Sequence, residues 1–258
     1  MSESFYTYKC GHTAKYEYIK PDGAKTQSFT LVYAHGFCSD PYGRKPEEIR
    51  KWCIENGMGF FRYEIAGHGS DAARFEETTI NTYKSQIFEI VGEMVDGDVV
   101  TAGASLGGWL GLLAAVQFPQ KVKGFLGLAA APDFLKKYFE AYFRPEHKEI
   151  LERDGKITFP TNDFTYVITK EMIASGNDNL LLDKETIPYV GKTRLLQGMK
   201  DASLDWRTAP LIAQKLTGSD VKTVLLKDSN HRLGSDSDIA EIRRALDDFL
   251  VPAAHPGR

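Results

Sequence analysis

The five residues Gly103-Ala104-Ser105-Leu106-Gly107 constrain the fold of this chain most, because they join a strand-like run directly to a helix-like run. Residues 98–102 have the β-branched content of a short buried strand, and residues 108–116 favour a helix packed against it. A strand that turns sharply into a helix throws the middle residue outward on a strained backbone. Glycines on both sides avoid a clash between a Cβ and the neighbouring elements. The pattern therefore predicts that the Ser105 hydroxyl is exposed at the positive end of a helix.

Strand-like and helix-like runs alternate along most of the 258 residues. The predicted strands are Lys15–Ile19, Phe29–Ala34, Gly59–Glu64, Asp98–Ala102, Val122–Ala129, Thr193–Gly198 and Val221–Lys227. The predicted helices are Pro46–Asn56, Thr79–Val95, Ser105–Phe118, Thr208–Leu216 and Asp238–Leu250. This alternation predicts an α/β fold with a mostly parallel central sheet and helices on both of its faces.

One segment, residues 132–191, breaks the alternation and is far longer than an ordinary connection between two strands. It is dense in aromatic side chains: Phe134, Tyr138, Phe139, Tyr142, Phe143, Phe159, Phe164 and Tyr166. We interpret it as a lid inserted into a core formed by residues 1–131 and 192–258. Several of its aromatic side chains are expected to line a pocket above the carboxyl edge of the sheet. The alternative is that they pack a small core of the insert itself.

Composition argues against several classes of function. The formal net charge is −3 and the lysines and arginines are scattered, so we expect no nucleic-acid partner. No apolar stretch is long enough to span a bilayer, and the amino terminus lacks the basic and apolar regions of a secretory signal. Three cysteines outside any paired motif are typical of a reducing compartment. Together these features predict a cytoplasmic protein.

Cofactor motifs are missing from the sequence. The histidines and cysteines are dispersed without the spacing of metal ligands, and no Gly-Lys-Ser/Thr follows the glycines around Ser105 as it would in a phosphate-binding loop. We therefore expect neither a metal nor another cofactor. The sequence leaves the oligomeric state open.

A serine hydroxyl is a poor nucleophile near neutral pH, so it needs a general base, which in turn needs an orienting acid. In folds built around such an elbow, the acid and then the histidine follow the serine along the chain. Among the six histidines, His231 fits this order because it follows the last predicted strand and precedes the last predicted helix. A surface-loop role for His231 is the alternative. We interpret His147 and His255 as solvated residues.

Two aspartates follow the predicted strand Thr193–Gly198, at the edge where an acid could reach His231. Asp201 is nearer to the end of the strand and is the predicted acid. Asp205 is the alternative, although it is also placed to cap the helix that follows. Asp228 lies three residues before the histidine and is interpreted as a loop-turn residue.

Acyl transfer also needs hydrogen-bond donors aimed at the oxyanion that develops on the carbonyl oxygen. One predicted donor is the backbone N–H of Leu106, directly after the serine. The second is the backbone N–H of Phe37, in the turn after the predicted strand Phe29–Ala34, where Gly36 permits a close approach of the backbone.

Three neighbours of these turns are predicted to take no part in the chemistry. His35 and His68 are interpreted as structural hydrogen-bonding residues. Cys38 is interpreted as a bystander, because it lacks an elbow and a base of its own.

With these pieces in order, the chain resembles the α/β-hydrolase superfamily from about Thr30 to Val251. The motifs that carry the resemblance are His35-Gly36-Phe37, Gly67-His68-Gly69, the Ser105 pentapeptide with Gly108-Trp109, Gly198-Met199-Lys200-Asp201 and His231-Arg232. The stretches around the predicted serine, acid and histidine are similar to those of a mitochondrial branch with palmitoyl-protein thioesterase and acyl-glucuronide esterase activity. The chain departs from that branch in showing no mitochondrial transit peptide and in having Leu204-Asp205-Trp206 where Val-Pro-Trp is expected.

The resemblance implies a serine hydrolase that cleaves a carboxylic ester or thioester through a covalent acyl-enzyme, with Ser105 as nucleophile, His231 as base and Asp201 as acid. The substrate is expected to be a small molecule or an acylated protein, and the aromatic insert favours an apolar acyl group. The predicted pocket residues are Phe37, Trp109, Phe134, Tyr138 and Trp206. The alternatives are a serine aminopeptidase, a hydrolase of C–C bonds and a non-catalytic ligand-binding homologue.

Overall fold

The computed structural model describes residues 4–23, 28–137, 143–160 and 165–250. Its strands are β1 (Ser4–Thr7), β2 (Thr13–Ile19), β3 (Phe29–Ala34), β4 (Gly59–Tyr63), β5 (Asp98–Ala104), β6 (Val122–Leu128), β7 (Lys156–Pro160), β8 (Thr165–Thr169), β9 (Lys192–Gly198) and β10 (Val221–Leu226). An eight-stranded sheet has the order β1-β2-β4-β3-β5-β6-β9-β10, and β7 pairs with β8 in a separate hairpin.

The central sheet is mostly parallel, which confirms the predicted fold class. The two exceptions lie at one edge, where β1 pairs antiparallel with β2 and β2 pairs antiparallel with β4. The remaining pairs, from β4 through β10, are parallel, so their carboxyl ends meet at one edge of the sheet. β1 is absent from the predicted strands because its four residues are largely exposed and show no alternation of buried and exposed positions.

The α-helices with described bounds are α1 (Arg44–Glu55), α2 (Ile80–Glu89), α3 (Leu106–Gln117), α4 (Pro145–Asp154), α5 (Lys170–Asn177), α6 (Thr208–Lys215) and α7 (Asp236–Leu250). On one face of the sheet, α2, α3 and α6 contribute to an apolar cluster that includes Tyr83 and Trp109. On the other face, α1 and α7 contribute to a second cluster that includes Trp52 and Ile242. Each fully buried large apolar side chain stabilises the fold by about 1.5–3 kcal/mol, so these clusters hold the helices against the sheet.

Two segments between β4 and β5 differ from the predicted elements. Residues Gly69–Glu77 form 3-10 turns that have no counterpart among the predicted helices. The predicted helix Thr79–Val95 is α2 followed by a π-helical turn at Ile90–Met94, where the Val95 N–H donates to the carbonyl of Ile90. Hydrophobic spacing alone does not reveal such a change of hydrogen-bonding pattern, because the buried side chains stay on the same face.

The segment between β6 and β9, which contains the predicted insert, holds α4, the β7–β8 hairpin and α5. It therefore has secondary structure of its own where the sequence shows no clear strand–helix pair. Its beginning and end are joined by Asp133, whose buried carboxylate accepts hydrogen bonds from the backbone N–H groups of Leu181 (2.8 Å) and Leu182 (2.7 Å). The bounds 132–191 as a separate lid stay a prediction.

Polar contacts attach the insert to the helices that cover the sheet. The Ser175 hydroxyl accepts a hydrogen bond from the backbone N–H of Ile80 at 2.9 Å, which joins α5 to the start of α2. The Trp109 indole N–H donates to the carbonyl of Asn179 at 3.1 Å, which joins α3 to the loop after α5. These contacts place the insert over the end of α3 that follows Ser105.

Candidate functional site

Ser105 lies in the turn between β5 and α3, on a backbone with φ 52° and ψ −116°. A non-glycine residue in this region carries strain, which persists only where the surroundings impose it. They do so here, because a Cβ added to Gly103 would lie 2.1 Å from the Gly107 carbonyl oxygen, and one added to Gly107 would lie 2.0 Å from the Ala34 carbonyl oxygen. The strand, strained turn and helix expected from the pentapeptide are therefore present.

His231 and Asp201 form a hydrogen-bonded pair at the same edge of the sheet. His231 Nδ1 lies 2.6 Å from Asp201 Oδ2, although the two residues are 30 positions apart in the chain. Asp201 follows β9 and His231 follows β10, and these adjacent parallel strands bring the two loops together. The Asp201 side chain is fully buried, whereas 27% of the His231 side chain is exposed. The imidazole therefore keeps one side open to a substrate.

The Asp201 carboxylate is surrounded by hydrogen-bond donors. Its Oδ1 accepts from the backbone N–H groups of Ser203 (2.8 Å) and Leu204 (2.9 Å), and its Oδ2 accepts from the Gln197 amide at 2.8 Å. Burial alone would raise the pKa of Asp201, but the bond from His231 and the backbone donors outweigh it, so the pKa lies below its usual value. An ionised Asp201 fixes the Nδ1–H tautomer of His231 and leaves Nε2 as the free base.

The other two aspartates considered from the sequence lie outside this pair. Asp205 is exposed, and its carboxylate accepts from the backbone N–H of Arg207 at 3.0 Å in the turn before α6. Asp228 is also exposed and forms an ion pair with Lys200 at 2.8 Å. The carboxylate bonded to His231 is thus that of Asp201.

The turn after β3 lies beside Ser105. A Cβ added to Gly36 would be only 3.5 Å from the Ser105 Cβ, which shows how closely this backbone approaches the serine. Within the described ranges, neither the backbone N–H of Phe37 nor that of Leu106 has a hydrogen-bond acceptor. Two unpaired donors therefore flank the serine, one from each turn.

Two buried histidines hold the backbone on both sides of Phe37. His35 Nε2 accepts from the backbone N–H of Ile65 at 2.9 Å, so its Nδ1–H donates to the Gly36 carbonyl at 2.8 Å. His68 Nε2 accepts from the backbone N–H of Cys38 at 3.0 Å, and its Nδ1–H donates to the carbonyl of Ala66 at 3.1 Å. Each ring must be neutral to make both of its bonds. The structural roles predicted for these histidines agree with this geometry.

Burial makes these two histidines a source of acid sensitivity. Burial, together with repulsion from the neighbouring His68 ring when that ring is protonated, lowers the pKa of His35 to about 3, and burial lowers the pKa of His68 as well. A histidine in the unfolded chain has a pKa of about 6.5. We expect the free energy of unfolding to fall as the pH drops below this value, because His35 is then protonated in the unfolded chain but stays neutral in the native protein. The expected loss is about 1.4 kcal/mol per pH unit.

Urea denaturation at a series of pH values between about 4 and 7 measures this loss. His35→Gln should show a shallower decline of stability with falling pH than the unsubstituted protein. His147→Gln, on α4, serves as the matched control and should keep the original decline. Equal slopes for the His35 variant and the unsubstituted protein would contradict the assignment.

Aromatic rings gather around Phe37, and we call Phe37, Phe75, Phe134 and Tyr166 the aromatic cluster. The Phe37 ring stacks on Tyr166 with centroids 5.6 Å apart, and lies 5.4 Å from Phe75 and 5.7 Å from Phe134. The buried Trp109 meets Phe134 edge-on at 6.0 Å. Three of the predicted pocket residues are therefore connected, because Phe134 of the insert contacts both Phe37 and Trp109.

The other two predicted pocket residues are Trp206 and Tyr138. Trp206 is half-buried, and its ring is covered by the guanidinium of Arg207 at 4.5 Å from the ring centroid. Tyr138 lies outside the described residues. An open groove of about 720 Å³ lies beside the turn after β3 and is lined by Cys38, Ser39, Gly67, His68, Gly69, Ala72, Ala73, Phe75, Glu76, Glu77 and Val167.

No hydrogen bond joins Ser105 Oγ to His231 in the part of the chain that the structure describes. Within the described ranges, no three His, Cys, Asp or Glu side chains are grouped in a way that could hold a metal ion. The described helices include none with the length and apolar character needed to cross a bilayer.

Sequence reasoning missed Gln197 as a partner of Asp201. Gln197 is the residue before Gly198 on β9, is fully buried, and turns its amide toward the carboxylate. A polar residue inside an apolar strand, just before the loop that carries the predicted acid, is the one sequence signal for this contact. This signal is weak, because the sequence alone does not show whether such a polar side chain is buried or exposed.

Comparison with curated proteins shows similarity to palmitoyl-protein thioesterase ABHD10, mitochondrial, from Bos taurus and from Homo sapiens. The chain is 31% identical to each over 229 residues, which covers 88% of this chain and 74% of the relative. Both relatives are named as mitochondrial, so the predicted cytoplasmic location is not confirmed. No protein-family model matches the chain.

Comparison with solved structures also shows similarity to a protein of this name. The structure of mouse α/β-hydrolase domain-containing protein 10 superposes with a TM-score of 0.86 and 28% identity, over 97% of this chain and 98% of that chain. A hydrolase from Agrobacterium vitis superposes with a TM-score of 0.89 and 22% identity, over 97% and 99% of the two chains, and supports the fold alone.

Proposed function

Because the chain belongs to the ABHD10 family of α/β-hydrolases, we propose that it hydrolyses carboxylic esters or thioesters with an apolar acyl group through a Ser105–His231–Asp201 triad. Family membership makes it a hydrolase of the ester or thioester type. The observation that carries the triad proposal is the 2.6 Å pair between His231 and a buried, ionised Asp201, at the same sheet edge as the strained turn of Ser105. The proposal does not require a serine–histidine bond in this geometry, because catalytic hydrogen bonds often tighten only when substrate binds.

In the first step His231 Nε2 takes the proton of the Ser105 hydroxyl as Oγ attacks the carbonyl carbon of the substrate. Asp201 stabilises the imidazolium that forms and keeps its ring in position. The carbonyl electron pair moves to oxygen, and the oxyanion is stabilised by the backbone N–H groups of Phe37 and Leu106. These N–H groups can donate to the oxyanion because no acceptor among the described residues occupies them.

Collapse of this intermediate breaks the bond to the leaving alcohol or thiol, which takes its proton from His231. The acyl group is then bound to Ser105 Oγ as an ester. In the second half, His231 removes a proton from water, the resulting hydroxide attacks the acyl carbon, and Ser105 regains its proton as the carboxylic acid leaves. The same donors stabilise both oxyanions.

The acyl group is assigned to the aromatic cluster. Phe37 supplies both an oxyanion donor and a ring of this cluster, so a chain bound to the cluster begins next to the reacting carbonyl. Phe134 and Tyr166 come from residues 132–191, which we propose act as the lid over the site. A long saturated chain, such as the palmitoyl group named in the relatives, gains about 0.8 kcal/mol for each CH₂ that it buries there.

A panel of acyl thioesters and p-nitrophenyl esters of graded chain length tests this assignment. We expect kcat/KM to rise by up to about fourfold per added CH₂ until the cluster is filled. Phe134→Ala should flatten this rise. Phe5→Ala, which removes an exposed aromatic ring from β1, should leave it unchanged. A dependence on chain length that is the same in the Phe134 variant would place the acyl group elsewhere.

No observation among the described residues favours a serine aminopeptidase, a hydrolase of C–C bonds or a non-catalytic ligand-binding homologue. A peptidase needs unpaired acidic side chains in the insert to hold the free amine of its substrate. In α4, Glu146 lies 4.0 Å from Arg144, and Glu152 forms an ion pair with Lys170, so these two carboxylates of the insert already have cations beside them.

We propose that the protein works in a reducing compartment. Cys10, Cys38 and Cys53 are all free thiols. This suits a reducing environment, and the cytoplasm remains the prediction from the sequence.

A further inference from the structure

The start of α1 lies against the loop that carries His231, and we call residues 227–235 the histidine loop. The Lys45 ammonium donates a hydrogen bond to the carbonyl oxygen of Arg232 at 2.5 Å, directly after the histidine. The Arg44 guanidinium donates to the carbonyl of Gly234 at 2.9 Å and forms an ion pair with Asp236, at the start of α7. Two adjacent cations of α1 thus bind the loop about 190 positions further along the chain.

We propose that Lys45 is a positioning residue that holds the histidine loop, and with it the His231 imidazole, in the orientation needed for proton transfer. This proposal rests on the hydrolase function proposed above. Lys45 does not touch the reacting atoms, and it acts through the backbone carbonyl that follows the general base. Arg44 supports it from the surface, where its side chain is about half exposed.

The same segment that carries Lys45 also carries the proposed oxyanion donor. Only residues 38–44 separate Phe37 from Lys45, and His68 fixes the beginning of this short stretch through the N–H of Cys38. The segment therefore links the donor on one side of Ser105 to the base on the other. A displacement of about 1 Å in such an arrangement is enough to lower turnover by up to about 10²-fold.

Contacts within the histidine loop and with α7 act together with the Lys45 bond, and one of them joins the Arg232 backbone N–H to the Asn230 side chain at 2.9 Å. The Ser229 hydroxyl bonds to the Asp238 carboxylate, which also accepts from the backbone N–H of Ser235 at 2.9 Å, so both ends of the loop are tied to α7. Leu233, buried with a φ of 47°, is held in a strained conformation between these ends. The Lys45 bond to the carbonyl of Arg232 lies between this residue and His231.

The charge of the Lys45 ammonium makes its bond to the histidine loop depend on pH. Burial lowers the pKa of Lys45 to about 8, while the charges of Asp238 and Asp201 raise it and that of Arg232 lowers it. The ammonium therefore lies within electrostatic reach of the acid that orients His231. Above about pH 8 the positive charge is lost, and the bond to the loop weakens with it.

The test compares Lys45→Met, which keeps the length of the side chain but removes the donor, with Lys45→Arg. We expect kcat to fall about tenfold in the Met variant with KM nearly unchanged, because substrate contacts are untouched. The unsubstituted enzyme should lose kcat with an apparent pKa of about 8, and this decline should be absent from the Met variant. The Arg variant should recover most of kcat and move the decline to higher pH.

Lys51→Met, on the same helix, is the matched control. Lys51 pairs with Glu48 and not with the histidine loop, so this substitution should leave kcat and its pH dependence unchanged.

A Met variant with unchanged kcat and an unchanged decline near pH 8 would overturn the role of Lys45, while leaving the hydrolase function intact. If the Met variant does not fold, as judged by its thermal unfolding, the Arg variant decides. An unchanged pH profile in that variant equally overturns the proposal. A folded, unsubstituted protein without hydrolase activity on any substrate would instead remove the function on which the proposal rests.

Discussion

Ser105→Ala is expected to lower kcat by at least about 10⁴-fold on every ester and thioester that the protein cleaves. Without Oγ no acyl-enzyme forms, and the residual rate comes only from water attacking a carbonyl polarised by the two backbone donors. The fold should be retained, because alanine can adopt the same backbone conformation and the serine side chain has no hydrogen bond that supports its neighbours among the described residues. Steady-state kinetics together with thermal unfolding measure both quantities.

Ser85→Ala is the matched control for this substitution. Ser85 is an exposed serine on α2, and its removal should leave kcat and thermal stability unchanged. If the Ser105 variant kept more than about a tenth of the original kcat while remaining folded, the nucleophile would have to be another residue.

Asp201→Asn has the second-largest expected effect, a fall in kcat of about 10⁴-fold. An amide at this position no longer stabilises the imidazolium, and it favours the wrong tautomer of His231 by offering an N–H to Nδ1. The loop should keep its shape, because an amide oxygen can still accept from the backbone N–H groups of Ser203 and Leu204. The buried Gln197 Oε1, which has no partner among the described residues, can accept from the new N–H after rotation of its amide.

Asp205→Asn provides the comparison within the same loop. Its carboxylate is exposed and bonds to Arg207 rather than to His231, so kcat should stay within about twofold of the original. The reverse ranking of the two variants would make Asp205 the acid, and equal small effects would mean that His231 needs no orienting carboxylate.

The sequence predicts the parts of the site that are set by topology. The Ser105 turn can be predicted from the sequence because its glycines, strand and helix are contiguous in the chain. Asp201 and His231 are also predictable, because parallel strands align their carboxyl ends and each residue directly follows such a strand. The pairing of these two residues follows from β9 and β10 being neighbours in the sheet.

Contacts between distant segments are what the sequence does not predict. Lys45 is an unremarkable cation at the start of a helix, and its bond to the carbonyl of Arg232 depends on how α1 packs beside α7. Gln197 is an isolated polar residue in an apolar strand, and its hydrogen bond to Asp201 depends on how the two side chains meet. Each of these outcomes depends on side-chain packing in three dimensions, for which local spacing gives no rule.

Labelling with a fluorophosphonate, followed by peptide mass mapping, tests the central claim most directly, because this probe traps an activated serine covalently and does not depend on the identity of the substrate. We predict a single label on the peptide that contains Ser105, strongly reduced in His231→Gln and absent from Ser105→Ala. A label on any other residue, or no label on the folded, unsubstituted protein, would contradict the account.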